Sequence, residues 1–134
     1  MCGIVGFIGK KDARSIVLNG LSALEYRGYD SAGIALKHND DIQIYKEKGR
    51  VDHLKTISKV DYESNLAIGH TRWATHGVPN QVNSHPHTSQ SGRFVIVHNG
   101  VIENFRALKV KNLKEYTFKS ETDTEVIANL IDFY

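Results

Sequence analysis

Residues 1–9, MCGIVGFIG, combine the single cysteine of the chain with an apolar run. Cys2 stands directly behind the initiator methionine, so removal of Met1 would leave a residue with both a thiol and a free α-amine. The pKa of such an amine is about 7.7–8.0, so part of it is neutral base near pH 7. A thiol beside that base is the arrangement of an N-terminal nucleophile. On its position alone, Cys2 is more simply explained as a small buried hydrophobic residue.

The bulk composition is that of an ordinary globular domain. The chain has 134 residues, of which 40% are hydrophobic and 24% charged, and a net charge of +2. That charge is too small for the footprint of a nucleic-acid-binding protein. One cysteine excludes an internal disulfide and a cysteine-based zinc site, and it fits a reducing, cytoplasmic compartment. The apolar stretches are too short for a signal peptide or a membrane span, so we expect no membrane partner.

Hydrophobic periodicity predicts short strands that alternate with helices. The predicted strands are Gly3–Gly9, Ala32–Lys37, Ile42–Glu47, Leu66–Thr71 and Phe94–His98. The first and the last of these strands are expected to be buried. The predicted helices are one from Asp12 to Gly28, a short one at Val51–Ser58, one at Ile102–Lys111, and a last one that follows Thr122.

The last predicted helix has the clearest signals. Thr122 and Glu125 have the spacing of a capping box. The helix is expected to bury an apolar stripe, which consists of Val126, Ile127, Leu130, Ile131 and Tyr134. The helical pattern has no stop signal, so we expect residues 1–134 to be a truncated domain.

Residues 72–92 form a long segment without helical or strand periodicity, and binding loops are the commonest explanation of such a segment. Arg72, at the end of a predicted strand, is suited to clamp a carboxylate with its bidentate fork. Trp73 behind it is suited to serve as a lid. The alternative is a surface arginine and a core tryptophan.

Two further segments carry candidate chemistry. Asn99 and the N–H of Gly100, at the end of a predicted strand, have the composition of an oxyanion hole, although Asn-Gly alone more often marks a tight turn. Asp123 lies in the first turn of the last helix, where the helix dipole favours its ionised form. A carboxylate there can hold a substrate ammonium group, although such residues more often only stabilise their helix.

The seven histidines of the chain raise the possibility of a metal site. His85 and His87 lie close in sequence, with His70 and His76 upstream. Their spacing fits no zinc pattern, so we expect no metal and no cofactor. A thiol and histidine pair of the protease type is also conceivable, but it leaves the terminal position of Cys2 unexplained.

Six motifs follow one another along the chain. They are CGIVGFIG (2–9), LEYRGYDSAGIA (24–35), HTRWATHG (70–77), NSHPH (83–87), HNGVIEN (98–104) and SETDTEVI (120–127). Together they resemble the glutaminase domain of the glutamine–fructose-6-phosphate aminotransferases, in the N-terminal-cysteine class of glutamine amidotransferases. The resemblance implies an α+β fold, the four-layer αββα sandwich of N-terminal-nucleophile (Ntn) hydrolases. Residues 1–134 would be the N-terminal part of that domain, without the sugar-isomerase synthase domains.

The resemblance also implies a role for each candidate residue. Cys2 would attack the side-chain amide of glutamine, with its own α-amine as general base. Asn99 and Gly100 would form the oxyanion hole. Arg72 would bind the α-carboxylate of glutamine and Asp123 its α-ammonium group.

Four supporting positions follow from the same motifs. Thr75 and His76 would assist Arg72 in binding glutamine. Trp73 would belong to the loop that closes over the substrate. Arg27 would help to place the N-terminus.

In a full-length enzyme of this kind, the ammonia released from glutamine would convert fructose 6-phosphate to glucosamine 6-phosphate in the missing synthase domain. That enzyme is expected to be a homo-oligomer. Two alternatives stay open: the glutaminase domain of an amidophosphoribosyltransferase, and an inactive fragment. Retention of Met1 would produce inactivity, because it locks the amine in a peptide bond.

Overall fold

The structure is a computed structural model that describes residues 2–27, 30–73 and 82–134. Its main sheet has four antiparallel strands in the order β1-β4-β2-β3. The strands are β1 (Gly3–Ile8), β2 (Ser31–His38), β3 (Asp41–Lys48) and β4 (Leu66–Arg72). Each of the four coincides with a predicted strand to within one residue at either end. The two-residue turn between β2 and β3 contains Asn39, which has a φ of 54°, a conformation that asparagine tolerates well.

Helices cover one face of this sheet. They are α1 (Ala13–Leu24), which continues into a 3₁₀ turn (Glu25–Arg27), and α2 (Val51–Ile57). The core between helices and sheet is aliphatic, with Val17, Leu21, Ile34, Leu36 and Leu54 each at 0% exposure. Burial of each of these side chains contributes roughly 1.5–3 kcal/mol before the entropic cost of folding.

A two-stranded ribbon, β5 (His87–Thr88) and β6 (Val95–Ile96), lies over the other face of the sheet, and a cavity lined by residues of both separates part of the two. Gly33 of β2 makes this close approach possible, because a Cβ at that position would collide with the backbone carbonyl of His85. Lys46 of β3 fastens the same segment: its Nζ donates to the carbonyl oxygens of Val82 at 3.3 Å and Pro86 at 3.1 Å.

Helix α4 (Asp123–Phe133) packs on the outer side of the ribbon, next to α3 (Phe105–Asn112). The order of layers is therefore helices, sheet, ribbon and helices. The site described below lies between the end of the sheet and the N-terminus of α4.

Two predicted strands are less buried than expected. Strand β1 alternates, with Ile4 at 43% and Ile8 at 76% exposure, because α1 covers only one face of this edge strand. The strand predicted at 94–98 is reduced to the pair Val95–Ile96, which is only half-buried. The expected burial was wrong in both cases, since burial depends on neighbours that a short apolar run does not specify.

The predicted capping box of α4 was also wrong. The Glu125 carboxylate accepts hydrogen bonds from the backbone N–H groups of Lys119 at 2.8 Å and Ser120 at 2.7 Å. Thr122, the N-cap residue, makes no side-chain cap bond, and its Oγ1 lies 2.9 Å from Nε2 of His87. Glu125 therefore holds the preceding loop instead of the N-cap residue.

The predicted apolar stripe of α4 was only partly right. Val126 is buried, but Ile131 is 44% and Tyr134 90% exposed. The buried face is largely polar and includes Asn129, whose Oδ1 accepts a hydrogen bond from the Gln90 N–H at 2.8 Å. A buried polar face is tolerated because its side chains are hydrogen-bonded to the backbone of neighbouring loops.

Candidate functional site

The register of β1 against β4 places Cys2 beside the end of β4. Gly3 pairs with Thr71, and the Gly3 N–H donates to Thr71 Oγ1 at 3.2 Å. The Trp73 N–H donates to Sγ of Cys2 at 3.1 Å, and the same sulfur lies 3.5 Å from the Trp73 carbonyl oxygen. The cysteine is thus tied to the end of a central strand although it lies near the N-terminus.

The position that follows the cysteine has room only for a glycine. A Cβ on Gly3 would lie 2.7 Å from Cδ1 of Leu24 and 3.0 Å from Oγ1 of Thr71. A larger residue would therefore push the start of β1 away from β4 and from helix α1, and would move Cys2 with it.

The Asn99-Gly100 segment contacts the backbone of the cysteine. Asn99 Nδ2 donates to the backbone carbonyl oxygen of Cys2 at 3.2 Å. Gly100 has a φ of +140°, which disfavours any residue with a side chain, and a Cβ there would lie 3.1 Å from Nε2 of His98. The turn thus brings the amide of Asn99 next to the cysteine.

Arg72 is the last residue of β4 and is 2% exposed. Burial lowers the pKa of its guanidinium, and the charges of Asp30 and Asp123 are among those that oppose this shift. A guanidinium remains protonated in proteins, so the site holds a buried positive charge.

Asp123, the first residue of α4, is 3% exposed. One of its carboxylate oxygens, Oδ2, accepts a hydrogen bond from the Ile102 N–H at 2.7 Å. The residue therefore holds the chain that follows Gly100, a role that the sequence did not predict.

Five of the predicted site residues, Cys2, Arg72, Trp73, Gly100 and Asp123, line one cavity. It is lined by Cys2, Arg72, Trp73, His85, His98, Gly100, Thr122, Asp123 and Thr124. Its volume is about 20 Å³, which is room for about one water molecule. Trp73 is 55% exposed, so its indole can move without disturbing the core. Because the cavity is so small, an amino-acid substrate can enter only if exposed lining side chains such as that of Trp73 move aside.

Three predicted residues are not placed. Thr75 and His76 lie outside the described residues, as does the side chain of Arg27. The backbone of Arg27 ends the 3₁₀ turn behind α1.

Sequence reasoning missed the structural role of three histidines, which it considered only as metal ligands or as a base for the thiol. The rings of His70 and His85 are stacked, with centroids 4.1 Å apart and planes at 17°. The His87 ring meets His85 edge-on at 4.6 Å. Burial lowers the pKa of His70 to about 4 and lowers the pKa values of His85 and His87 even further. All three are therefore neutral at pH 7.

The side chain of His70 also reaches the cysteine site, since its Nε2 lies 2.7 Å from Oδ1 of Asn99. Side chains alternate between the two faces of a strand, so the position of His70 in β4 places its ring on the face that carries the ribbon, next to its pairing partner Gly33 of β2. This alternation is the signal in the sequence that could have indicated the contact. Within residues 2–27, 30–73 and 82–134, no three His, Cys, Asp or Glu side chains are grouped as metal ligands would be. In the same ranges no helix has both the length and the apolar character needed to cross a bilayer.

The profile of a family described as "Glutamine amidotransferase domain" matches residues 55–134.

Curated relatives align over the whole chain. A glutamine–fructose-6-phosphate aminotransferase (isomerizing) from Staphylococcus epidermidis is 58% identical over 135 residues. One from Caldanaerobacter subterraneus subsp. tengcongensis is 60% identical over 136 residues. Both alignments cover 100% of this chain and 22% of the relative, so the chain spans about a fifth of the length of these proteins.

Solved structures of other proteins share the fold. The glutamine phosphoribosylpyrophosphate (PRPP) amidotransferase from B. subtilis, complexed with ADP and GMP, superposes with a TM-score of 0.80 at 28% identity. A structure described as the allosteric regulatory enzyme of purine biosynthesis gives a TM-score of 0.81 at 30% identity. Each comparison covers 98% of this chain and 29% of the other.

Proposed function

Because this chain belongs to the glutamine amidotransferase domain family, we propose that it hydrolyses the side-chain amide of glutamine to glutamate and ammonia, with Cys2 as the nucleophile. The family and the Ntn amidotransferase fold predicted from the sequence are confirmed. One observation carries the proposal: the Cys2 thiol lines the same small cavity as the buried charges of Arg72 and Asp123.

The proposed reaction proceeds through a thioester. With Met1 removed, the α-amine of Cys2 takes the thiol proton, and the thiolate attacks the amide carbon of glutamine. The negative charge that develops on the amide oxygen is stabilised by Asn99 Nδ2 and the Gly100 N–H. The ammonium of the terminus returns a proton to the leaving nitrogen, ammonia departs, and water hydrolyses the thioester to glutamate and the free thiol.

Glutamine is a zwitterion, so its site needs one group of each charge besides the oxyanion donors. Arg72 is proposed to bind the α-carboxylate, with Thr75 and His76 assisting, and Asp123 to bind the α-ammonium group. Support comes from the burial of both charged side chains, which strengthens their interaction with a substrate that excludes water.

The remaining proposed roles concern the edges of the site. The exposed ring of Trp73 is proposed to close over bound glutamine. Arg27, in the 3₁₀ turn that follows α1, is proposed to help place the N-terminus.

The role of the whole protein is proposed from what its relatives are. We assign residues 1–134 to the N-terminal part of a glutaminase domain whose ammonia reacts with fructose 6-phosphate in a separate synthase domain. The protein is proposed to be a cytoplasmic homo-oligomer that needs no metal or cofactor for glutamine hydrolysis. The identity of 58–60% to aminotransferases, against 28–30% to the purine enzymes, favours this acceptor over the amidophosphoribosyltransferase alternative.

The test of the proposal is the dependence of hydrolysis on Met1. Protein that begins at Cys2 should release glutamate from glutamine, whereas protein that retains Met1 should not, because its cysteine nitrogen is an amide and cannot act as the base. Intact mass establishes the processing state of each sample, and glutamate release measures turnover. Equal turnover by both forms contradicts the base assignment, and absence of turnover in the processed form contradicts the proposed function.

A second prediction concerns the carboxylate clamp. Arg72→Lys keeps the positive charge but loses the bidentate fork. We expect the KM for glutamine to rise about 10²-fold, near the worth of one hydrogen bond to a charged group, with kcat changed only a few-fold. Steady-state kinetics measure both constants, and Arg50→Lys, at a residue with a 63% exposed side chain, is the matched control. A loss confined to kcat at saturating glutamine is incompatible with a clamp.

A further inference from the structure

The side-chain amide of Asn99 is held at both of its ends. Its Nδ2 lies 3.2 Å from the Cys2 carbonyl oxygen, and its Oδ1 lies 2.7 Å from Nε2 of His70. An amide group has a donor end and an acceptor end of nearly the same shape, and only the donor end can stabilise a developing oxyanion. The groups that fix the orientation of this amide therefore determine whether its donor end can stabilise the oxyanion.

The protonation state of His70 follows from its surroundings. The ring is completely buried, and burial lowers its pKa to about 4, so one nitrogen is unprotonated at pH 7. Nδ1 is buried and makes no hydrogen bond of good geometry among the described residues, although the backbone of His98 as well as the side chain of Asn99 opposes the lowering of the His70 pKa. A proton on Nδ1 would bury an unpaired N–H and turn the lone pair of Nε2 toward Asn99 Oδ1, both of which are costly. The favoured tautomer carries its proton on Nε2, which donates to Oδ1.

The reverse orientation of the amide is disfavoured at the other end. Rotation of the Asn99 amide by 180° would place Oδ1 where Nδ2 now lies, about 3.2 Å from the Cys2 carbonyl oxygen. Two acceptors would then face each other without a proton between them. The histidine and the backbone carbonyl of the cysteine thus select the same orientation.

The imidazole of His70 is itself held in place. His70 belongs to a strand with a partner on each side, pairing with Ile4 of β1 and Gly33 of β2. Its ring stacks on that of His85 at 4.1 Å. Since Gly33 has no side chain, the backbone of His85 reaches the sheet and keeps its ring against His70. A donor fixed in this way costs no reorganisation during the reaction.

We propose that His70 is a positioning residue of the glutaminase site, which directs the Nδ2 group of Asn99 toward the reacting centre by donating a hydrogen bond from Nε2 to Oδ1. The inference rests on the proposed function, because the oriented amide would stabilise the oxyanion that forms when the thiolate attacks glutamine. His70 itself contacts neither the thiol nor the substrate in this scheme.

The kinetic test is a double-mutant cycle of His70→Leu and Asn99→Ala in the processed protein. His70→Leu should lower kcat about 10²-fold, the loss typical of one oxyanion donor, with KM within about threefold. In the Asn99→Ala background the same substitution should change kcat less than about threefold, because the amide through which it acts is gone. Equal losses in both backgrounds overturn the proposal.

Two further variants separate positioning from a general structural effect. His70→Gln can present an amide N–H near the place of Nε2–H, and its kcat should stay within about tenfold of the unsubstituted protein. A His70→Gln protein as slow as His70→Leu overturns the proposal. His53→Gln, at an exposed histidine of α2, is the matched control and should leave kcat unchanged.

A spectroscopic readout does not depend on turnover or on whether His70→Leu folds. The ¹⁵N chemical shifts of the His70 ring at pH 7 should report a protonated Nε2 and an unprotonated Nδ1, and scalar coupling should connect that proton to the Asn99 amide. A protonated Nδ1 overturns the proposal even if glutamine is hydrolysed. Conversely, the expected tautomer in a protein without glutaminase activity supports the hydrogen bond and contradicts only the proposed function.

Discussion

Cys2→Ala should abolish glutamine hydrolysis, with a loss in kcat of at least about 10⁴-fold, while the protein still folds. Removal of the nucleophile in enzymes that form a covalent intermediate commonly costs this much or more. The effect on folding should be below about 1 kcal/mol, because the described partners of the sulfur are the backbone N–H and carbonyl of Trp73 and a typical hydrogen bond contributes only that much.

The experiment compares glutamate release and urea unfolding for Cys2→Ala and for Cys2→Ser, each processed to begin at residue 2. Serine keeps a polar atom in the same place but is a far weaker nucleophile near pH 7, so it should also lose hydrolysis. A Cys2→Ala protein that retains glutaminase activity would locate the nucleophile elsewhere in the chain.

The second large effect that we expect is a loss of stability in mild acid. His70, His85 and His87 are buried and neutral, and their folded-state pKa values lie well below the value of about 6.5 for an unfolded histidine. Between about pH 6.5 and 4 the unfolded chain therefore binds more protons than the folded one. The free energy of unfolding falls as the pH is lowered through this window.

The size of this effect follows from proton linkage. Each histidine that is protonated only on unfolding contributes a slope of about 1.4 kcal/mol per pH unit, so three of them give at most about 4 kcal/mol per pH unit. The positive charges of Lys46 and Arg72 act in the same direction, since both further lower the pKa values of His85 and His87. This slope is large compared with the total stability of a small domain.

Urea unfolding at pH 7.5, 6.0 and 5.0 measures the effect. His87→Gln should reduce the slope by up to about 1.4 kcal/mol per pH unit, whereas His53→Gln, at an exposed histidine, should leave it unchanged. A free energy of unfolding that stays constant between pH 6.5 and 5 is inconsistent with three buried neutral histidines.

Features that lie close together in the sequence correctly predicted the β2–β3 hairpin. The hairpin of β2 and β3 was predicted from two short strand-like stretches, Ala32–Lys37 and Ile42–Glu47, on either side of a polar turn at Asn39, and both features lie close together in sequence. Burial was predicted less well. Ile8 and Tyr134 are exposed although both belong to apolar patterns, because a pattern shows which face is apolar but not whether another layer covers it.

The sequence by itself determined the chemistry that this protein carries: a thiol behind the initiator methionine, an Asn-Gly turn, and an arginine and an aspartate of opposite charge in six ordered motifs. The tertiary structure alone decided how these groups meet. Cys2 contacts Trp73 and Asn99 across 71 and 97 positions of sequence, because the register of β1 against β4 fixes the N-terminus beside the end of a central strand. The same register and the missing side chain of Gly33 bury His70 against Asn99. No local pattern contains that contact, because the orientation of an amide depends on its partners in space.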